Sequence, residues 1–303
     1  MSRPAWILLL ALSVLWGGSY LAFRVSAPQM PALTLVLARC LIAAVALHTA
    51  LLLRGRRLRL DRGRIVDYGG MGLLNNVIPF GLIFYGTQTI TAGLASILNA
   101  VTPMITALVF HLFTRDERLT ANKGAGVVLG FAGVAILLGP AALTDAGDHL
   151  LAELACIGAT VSYAFSTLWA RRFRGDDPME AACGQLTAST TICLPLALLV
   201  DRPWTLPMPG ADVVAAVLFL GLFATALAYV IFFRILTLAG SNVMLVTLLV
   251  PVSAVVLGAL VLGERLEPRA FAGMAVIAIG LAAIDGRLWR RIVGARVKTR
   301  IES

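Results

Sequence analysis

Polar side chains able to do chemistry are few in this chain, and their spacing favours hydrogen bonding to a small molecule over covalent catalysis. Asn75 and Asn76 are adjacent, and Pro79 follows one turn later. Asn99, Thr102 and Pro103 form a similar set, and Thr247 with Pro251 repeats the spacing of Asn99 with Pro103. Trp16, Ser19 and Tyr20 group aromatic rings with a hydroxyl, as do Ser162, Tyr163 and Ser166, and Tyr229 adds a further phenol. Residues four apart share a helix face. A proline frees the carbonyl one turn back and can kink the helix there. Amides and phenols on an apolar wall suit the binding of a small amphipathic solute. Arg39 is the most distinctive charge, seven residues into an apolar run. No HExxH, Walker A loop, GxGD pair or Ser/His/Asp set is present in the sequence. No residue is therefore assigned a catalytic, metal-binding or cofactor role.

These side chains must be held by elements of the right kind. Of the 303 residues 59% are apolar and 14% charged, against roughly a quarter charged in a soluble domain. That composition excludes a water-soluble globule, and its hydrophobicity excludes disorder. A bilayer core of ~30 Å needs about 20 apolar residues of helix. Ten such runs are expected, near 5–23, 32–53, 66–88, 92–113, 122–139, 150–170, 180–200, 211–233, 240–262 and 270–288. Their length and freedom from charge exclude the alternating strands of an outer-membrane barrel. The first run lacks a small-x-small cleavage pattern and is expected to be a retained helix, not a signal peptide. Cys40, Cys156, Cys183 and Cys193 fall inside runs without CxxC spacing and are expected to be buried thiols.

Each polar candidate has two readings. Asn75, Asn76, Asn99 and the threonines either contact a solute or hydrogen-bond neighbouring helices as packing contacts. The aromatics line a site or fill the core. Arg39, ~10 Å inside its run, either anchors a solute carboxylate or caps backbone carbonyls, and its length allows it to snorkel to the surface.

Basic residues set orientation. Of 25, 20 fall in the N-terminal segment, every second connection and the C-terminal tail, whereas the alternate connections hold Arg24, Arg202, Arg265 and Arg269. Both termini are thus expected in the cytoplasm. The net charge of +9 is read as an orientation signal lying against anionic lipid and not as a nucleic-acid surface. The chain also repeats itself. Asp116-Glu117-Arg118-Leu119-Thr120 matches Gly263-Glu264-Arg265-Leu266-Glu267, and Ser19-Tyr20 matches Ser162-Tyr163. Gly126 and Gly133, part of a small-residue stripe with Gly124 and Gly130, match Gly273 and Gly280. Five runs per copy force opposite orientations. The expected fold is therefore an all-α integral membrane protein of ten transmembrane helices in two inverted five-helix repeats, 1–140 and 149–288, followed by a basic cytoplasmic tail, 289–303. Inverted repeats belong to secondary transporters, which exchange inward-open and outward-open shapes around a midplane site. A duplicated bundle also suits a non-transporting sensor or scaffold.

The segments LWGGSYLAFR (15–24), LARCLIAA (37–44), GLLNNVIPFGLIFYG (72–86), GLASILNAVTPMITALVFHLFTRDERLT (93–120), GVVLGFAGVAILLG (126–139) and VPVSAVVLGALVLGERLEP (250–268) resemble the EamA family of the drug/metabolite transporter superfamily, in two consecutive copies. The resemblance implies a plasma-membrane carrier moving a small metabolite, typically outward. It also implies a cavity lined by helices 1, 3, 4, 6, 8 and 9, with helices 5 and 10 peripheral. It names no single substrate. Related proton-coupled carriers bury a carboxylate in the first helix, where this chain has none. Asp and Glu keep to loops and helix ends, with Glu153 about three residues inside its run, so no midplane carboxylate switch is expected. The chain is expected to work as a single copy, with a solute and lipid as its partners.

Overall fold

The computed structural model describes residues 2–139 and 147–285. The expected tail 289–303, with its basic residues, and most of the boundary between the two copies, including Asp145, lie outside the described residues. The described elements are all helical: α1 (Arg3–Ser26), α2 (Ala32–Leu53), α3 (Arg62–Gly72), α4 (Ile78–Thr89), α5 (Ala92–Asn99), α6 (Thr102–Phe113), α7 (Ala121–Leu138), α8 (Asp148–Trp169), α9 (Pro178–Leu196), α10 (Ala211–Leu218), α11 (Ala228–Ala239), α12 (Val246–Leu262) and α13 (Pro268–Asp285). Among the described residues eight helices or fused helix pairs are long and apolar enough to cross a membrane. The α3–α4 rod falls outside that set because Asn75, Asn76 and several glycines lower the hydropathy of its charge-free stretch, and α13 because its apolar part is short, Pro268–Ile284. Large apolar side chains point outward in numbers that water would not tolerate, among them Ile7, Leu53, Val128 and Leu199. Lipid is the solvent that accommodates them.

The connections sort onto two faces. On one, Arg64 pairs with Asp176, Arg56 with Asp177, and Arg172 with Asp67 at 3.1 Å. Arg171 joins the same face through Asp116 and Glu117. On the other, Thr34 donates through its N–H and hydroxyl to Asp201 at 2.6 and 2.8 Å, Gly210 N–H donates to Gln29, and Arg269 reaches the Leu138 carbonyl. The first, basic face gathers the arginine-rich loops. Arg64 there holds its proton more firmly than usual because it hydrogen-bonds Asp176.

Several rods are not simple α-helices. A π turn at Leu73–Val77 joins α3 to α4, immediately before Pro79, whose missing N–H cannot serve Asn75 one turn back. A longer π segment, Phe219–Leu227, joins α10 to α11 without a proline. There the Thr225 hydroxyl takes the Leu220 carbonyl at 2.7 Å, and a Cβ on Gly221 would stand 2.6 Å from Ile42 Cβ. Between α5 and α6 the chain breaks at Ala100–Val101, so Pro103 starts a new helix where a kink within one helix was expected. Pro251 lies inside α12, which runs unbroken.

Helix pairs approach through glycine. On the α7–α13 seam a Cβ on Gly126 would stand 2.6 Å from the Gly280 carbonyl oxygen, and one on Gly280 2.8 Å from that of Gly126. Gly133 and Gly273 make the same reciprocal approach, at 3.0 and 2.9 Å. Gly130 faces Met104. Gly124 meets nothing within 4 Å, so it is no part of the contact stripe. α1 presses on α12 at Gly17, whose Cβ would lie 2.7 Å from Ser253 Cβ and 2.8 Å from the Ala254 nitrogen.

Candidate functional site

Most buried hydroxyls satisfy themselves within their own helix, and that separates packing from site. Ser19 donates to the Leu15 carbonyl, Thr102 to Asn99 and Thr247 to Met244, each one turn away. These three candidates therefore have local partners and join no network, as helical Ser and Thr commonly do. The asparagine pair behaves differently because the π turn turns both side chains across the bundle. Asn75 Nδ2 donates to Tyr229 Oη at 3.0 Å and to Gln185 Oε1 at 3.3 Å, and Asn75 Oδ1 accepts from Ser166 at 3.1 Å. Tyr229 donates to Asn76 Oδ1 at 3.1 Å, and Asn76 Nδ2 donates to Ser189 at 2.9 Å. Ser162 seals the turn by donating to the Leu74 carbonyl at 2.7 Å. The structure thus brings together Asn75, Asn76, Ser162 and Tyr229 and adds Gln185 and Ser189, which the sequence reading missed. Those two lie four apart on α9, a polar pair on one face that could have drawn attention.

Arg39 sits beside this cluster. It does not snorkel: the residue is 4% exposed. Its Nε donates to Thr225 at 2.8 Å, and its guanidinium carbon lies 3.7 Å from the Phe80 ring centre and 5.2 Å from that of Phe23. Tyr163, Tyr229 and Tyr20 lie within its electrostatic reach. Among the described residues no carboxylate pairs with it, and its other nitrogens have no hydrogen-bond partner. A charge inside the bundle is costly unless paired, and this guanidinium is faced by a hydroxyl, phenols and aromatic rings. Trp16 stacks near Phe232 at 5.8 Å, extending an aromatic wall toward Tyr229 through Phe233. Asn99 is buried elsewhere along α5, and its Nδ2 has no partner among the described residues.

The acids stay peripheral. Among the described residues the buried ones are Glu153 and Glu180. Glu180, in the first turn of α9, accepts the Arg59 N–H at 3.0 Å. Glu153 lines a cleft of about 330 Å³ with His149, Glu267 and Arg269, near the face opposite the basic one. All four cysteines are buried and free.

The central network also gives a stability prediction. Tyr229→Phe removes one donor and one acceptor from it. Asn75 Nδ2 keeps Gln185, so the loss of thermal stability should stay below about 1 kcal/mol, as for most hydrogen bonds between membrane helices. A larger drop in melting temperature than that would make the network a structural keystone.

Comparison with known proteins fits this geometry. The model of the EamA-like transporter family matches residues 3–139 and again 150–284. A "Probable terminal-alkyne amino-acid exporter" of Streptantibioticus cattleyicolor is 30% identical over 98% of this chain and 96% of its own length. A "Probable amino-acid metabolite efflux pump" of Salmonella typhimurium is 28% identical, with 93% and 94% covered. The transporter YoaV of Bacillus subtilis is 24% identical, with 90% and 94% covered. One solved crystal structure matches 96% of this chain and 100% of its own, with a TM-score of 0.67 and 22% identity, which speaks for the fold alone. Spanning nearly the whole chain in two consecutive matches, these likenesses make it a member of the EamA-like transporter family.

Proposed function

We propose that this transporter moves a small, amino-acid-like or amphipathic metabolite outward across the inner membrane by alternating access. The observation that carries the reading is Arg39, buried beside the Asn75–Tyr229–Asn76 network with no carboxylate partner among the described residues. A fork of N–H groups without a resident acid suits a solute carboxylate, while Tyr20, Tyr163 and Trp16 offer apolar walls to the remainder. The names of the Streptantibioticus and Salmonella relatives point to the same solute class. YedA of Escherichia coli, 25% identical, is named as an inner-membrane transporter, which supports that membrane here.

The architecture we infer is ten helices in two inverted halves, 1–140 and 149–288. Exchanging the helices of one half for those of the other maps the packing onto itself: α1 lies along α12 as α8 lies along α6, and α2–α9 and α7–α13 map onto themselves. The reciprocal glycines support it too, because Gly126 and Gly133 correspond in sequence to Gly273 and Gly280 yet pack crosswise. In this reading the basic face is cytoplasmic, and both termini lie there. The π turn before Pro79 and the break before Pro103 are the places where a rod bends, with Pro251 a weaker third. No central carboxylate relays protons, which leaves uniport and exchange as the simplest modes.

The test is counterflow in proteoliposomes over a panel of amino acids, their decarboxylated amines and their amides. Accumulation of at least one carboxylate-bearing solute is expected, together with a rise in melting temperature on binding. If no solute gives counterflow or a thermal shift, the chain is a sensor or scaffold and not a carrier.

A further inference from the structure

The repeated acid of the two copies contacts an arginine of the other copy in both places. Glu117 and Glu264 are counterparts in Asp-Glu-Arg-Leu-Thr and Gly-Glu-Arg-Leu-Glu. Each grips an arginine at the tip of the first helix of the other copy. Glu264 stands 3.7 Å from Arg24 Nε and accepts the Ala92 N–H at 3.1 Å. Arg24, one turn after Tyr20 and at the end of α1, also donates to the Thr87 and Gln88 carbonyls, both at 2.9 Å. At the opposite face Glu117 accepts from Arg171 Nη2 at 2.8 Å and Asp116 from Nη1 at 3.2 Å. Arg171 follows Tyr163 by two turns, just past α8, and lies 4.7 Å from the Phe110 ring centre. The Arg171 hydrogen bonds hold the Asp116 carboxyl below its usual range.

The placement of these clasps is not that of ordinary surface pairs. Each ties the two halves of the chain together, one at each face, and each binds the tip of a helix, α1 or α8, whose tyrosine faces the central arginine. Glu264 is held tightly: Gly263 turns with φ at +65°, and Glu264 Oε2 occupies the space a Cβ on Gly258 would need, 2.5 Å away. Its side chain is 9% exposed. A cleft of about 530 Å³ lined by Arg24, Pro28, Gln88, Leu262 and Glu264 opens onto this clasp, so separating the pair would deepen an existing vestibule toward the centre.

We propose that Arg24–Glu264 and Arg171–Glu117/Asp116 are counterpart gates that position the two halves for transport, one opening only while the other stays shut. The proposal rests on the alternating-access reading above. Its distinctive consequence is reciprocity, because an equilibrium between two open forms is biased by weakening either gate. A staple that merely strengthens its own face has no such effect at a distance.

Hydrogen–deuterium exchange of the full chain in lipid nanodiscs reads this directly. Glu264→Gln should speed exchange at 87–93 by roughly fivefold or more and slow it at 110–117 and 169–173. The double variant Asp116→Asn with Glu117→Gln should give the mirror image. Faster exchange confined to the altered face, or no change at either, overturns the proposal. Should Glu264→Gln fail to yield folded protein, Arg24→Gln is read in the same way. Counterflow of the unaltered protein is measured alongside. If it is absent for every solute while reciprocity holds, the carrier reading falls and the coupled gates stand. If it is present without reciprocity, the gates fall and the carrier stands.

Discussion

Arg39→Gln should abolish carboxylate counterflow without destabilising the protein. Losing one member of a buried charge pair costs about 2–5 kcal/mol of binding, more than tenfold in affinity. The sign of the stability change separates the two roles open to this residue. If Arg39 is structural, losing the Thr225 hydrogen bond and the stacking on Phe80 lowers the melting temperature. If it waits for a carboxylate, the unliganded protein bears an uncompensated buried charge, and replacing it with a neutral amide leaves stability unchanged or raises it. Arg39→Lys sharpens the test, since it keeps the charge and loses the planar fork. Weak residual counterflow is expected for Lys and none for Gln. A Gln variant that melts well below the unaltered protein and still transports would end the anchor reading.

The second large effect is steric. Gly133→Val should severely destabilise the bundle, because a Cβ there already lies 3.0 Å from the Gly273 carbonyl oxygen and 2.6 Å from the Ile277 side chain. A backbone oxygen cannot rotate away, so the cost should reach or exceed the ~1–3 kcal/mol typical of overpacked cores. Gly124→Ala is the control on the same helix. Its position is open, and alanine removes the conformational cost of glycine, so that variant should be neutral or gain up to about 1 kcal/mol. Melting curves in one detergent check both; equal losses would mean that the α7–α13 seam is not backbone-tight.

Much of this was legible in the sequence because hydropathy and basic residues act over whole helices. Among the described residues eight of the expected runs overlap helices long and apolar enough to cross a membrane, and the glycines of the second copy fall on the seam. What stayed hidden depends on single-residue events or on partners far along the chain. A π turn inserts one residue into an apolar run without changing its hydropathy, yet the turn at Leu73–Val77 is what sends Asn75 toward α9 and α11. Pro79 hinted at a disturbance there; nothing flagged the one at Phe219–Leu227. Gln185 and Ser189 read as ordinary polar residues of an apolar helix until Asn75 and Asn76 are set opposite them. Thr102 and Thr247 looked equivalent to the asparagines by spacing, but their hydroxyls are satisfied one turn back, whereas Asn75 and Asn76 find their partners across the bundle and Asn99 finds none among the described residues. The repeated motif was visible as a repeat, but the helix tips gripped by its glutamates depend on tertiary packing.

The two faces of the bundle are fastened by different chemistry, and that makes them unequal toward ionic strength. On the basic face Arg56, Arg59 and Arg172 meet carboxylates while 49%, 69% and 53% exposed. Contacts of that kind weaken as the screening length shrinks from about 10 Å at 0.1 M to about 3 Å at 1 M salt. The opposite face relies on Arg24 bound to backbone carbonyls, on Thr34 bound to Asp201 and on a nearly enclosed Glu264, which mobile ions reach poorly. Concentrated salt is therefore expected to loosen this molecule from its basic end first.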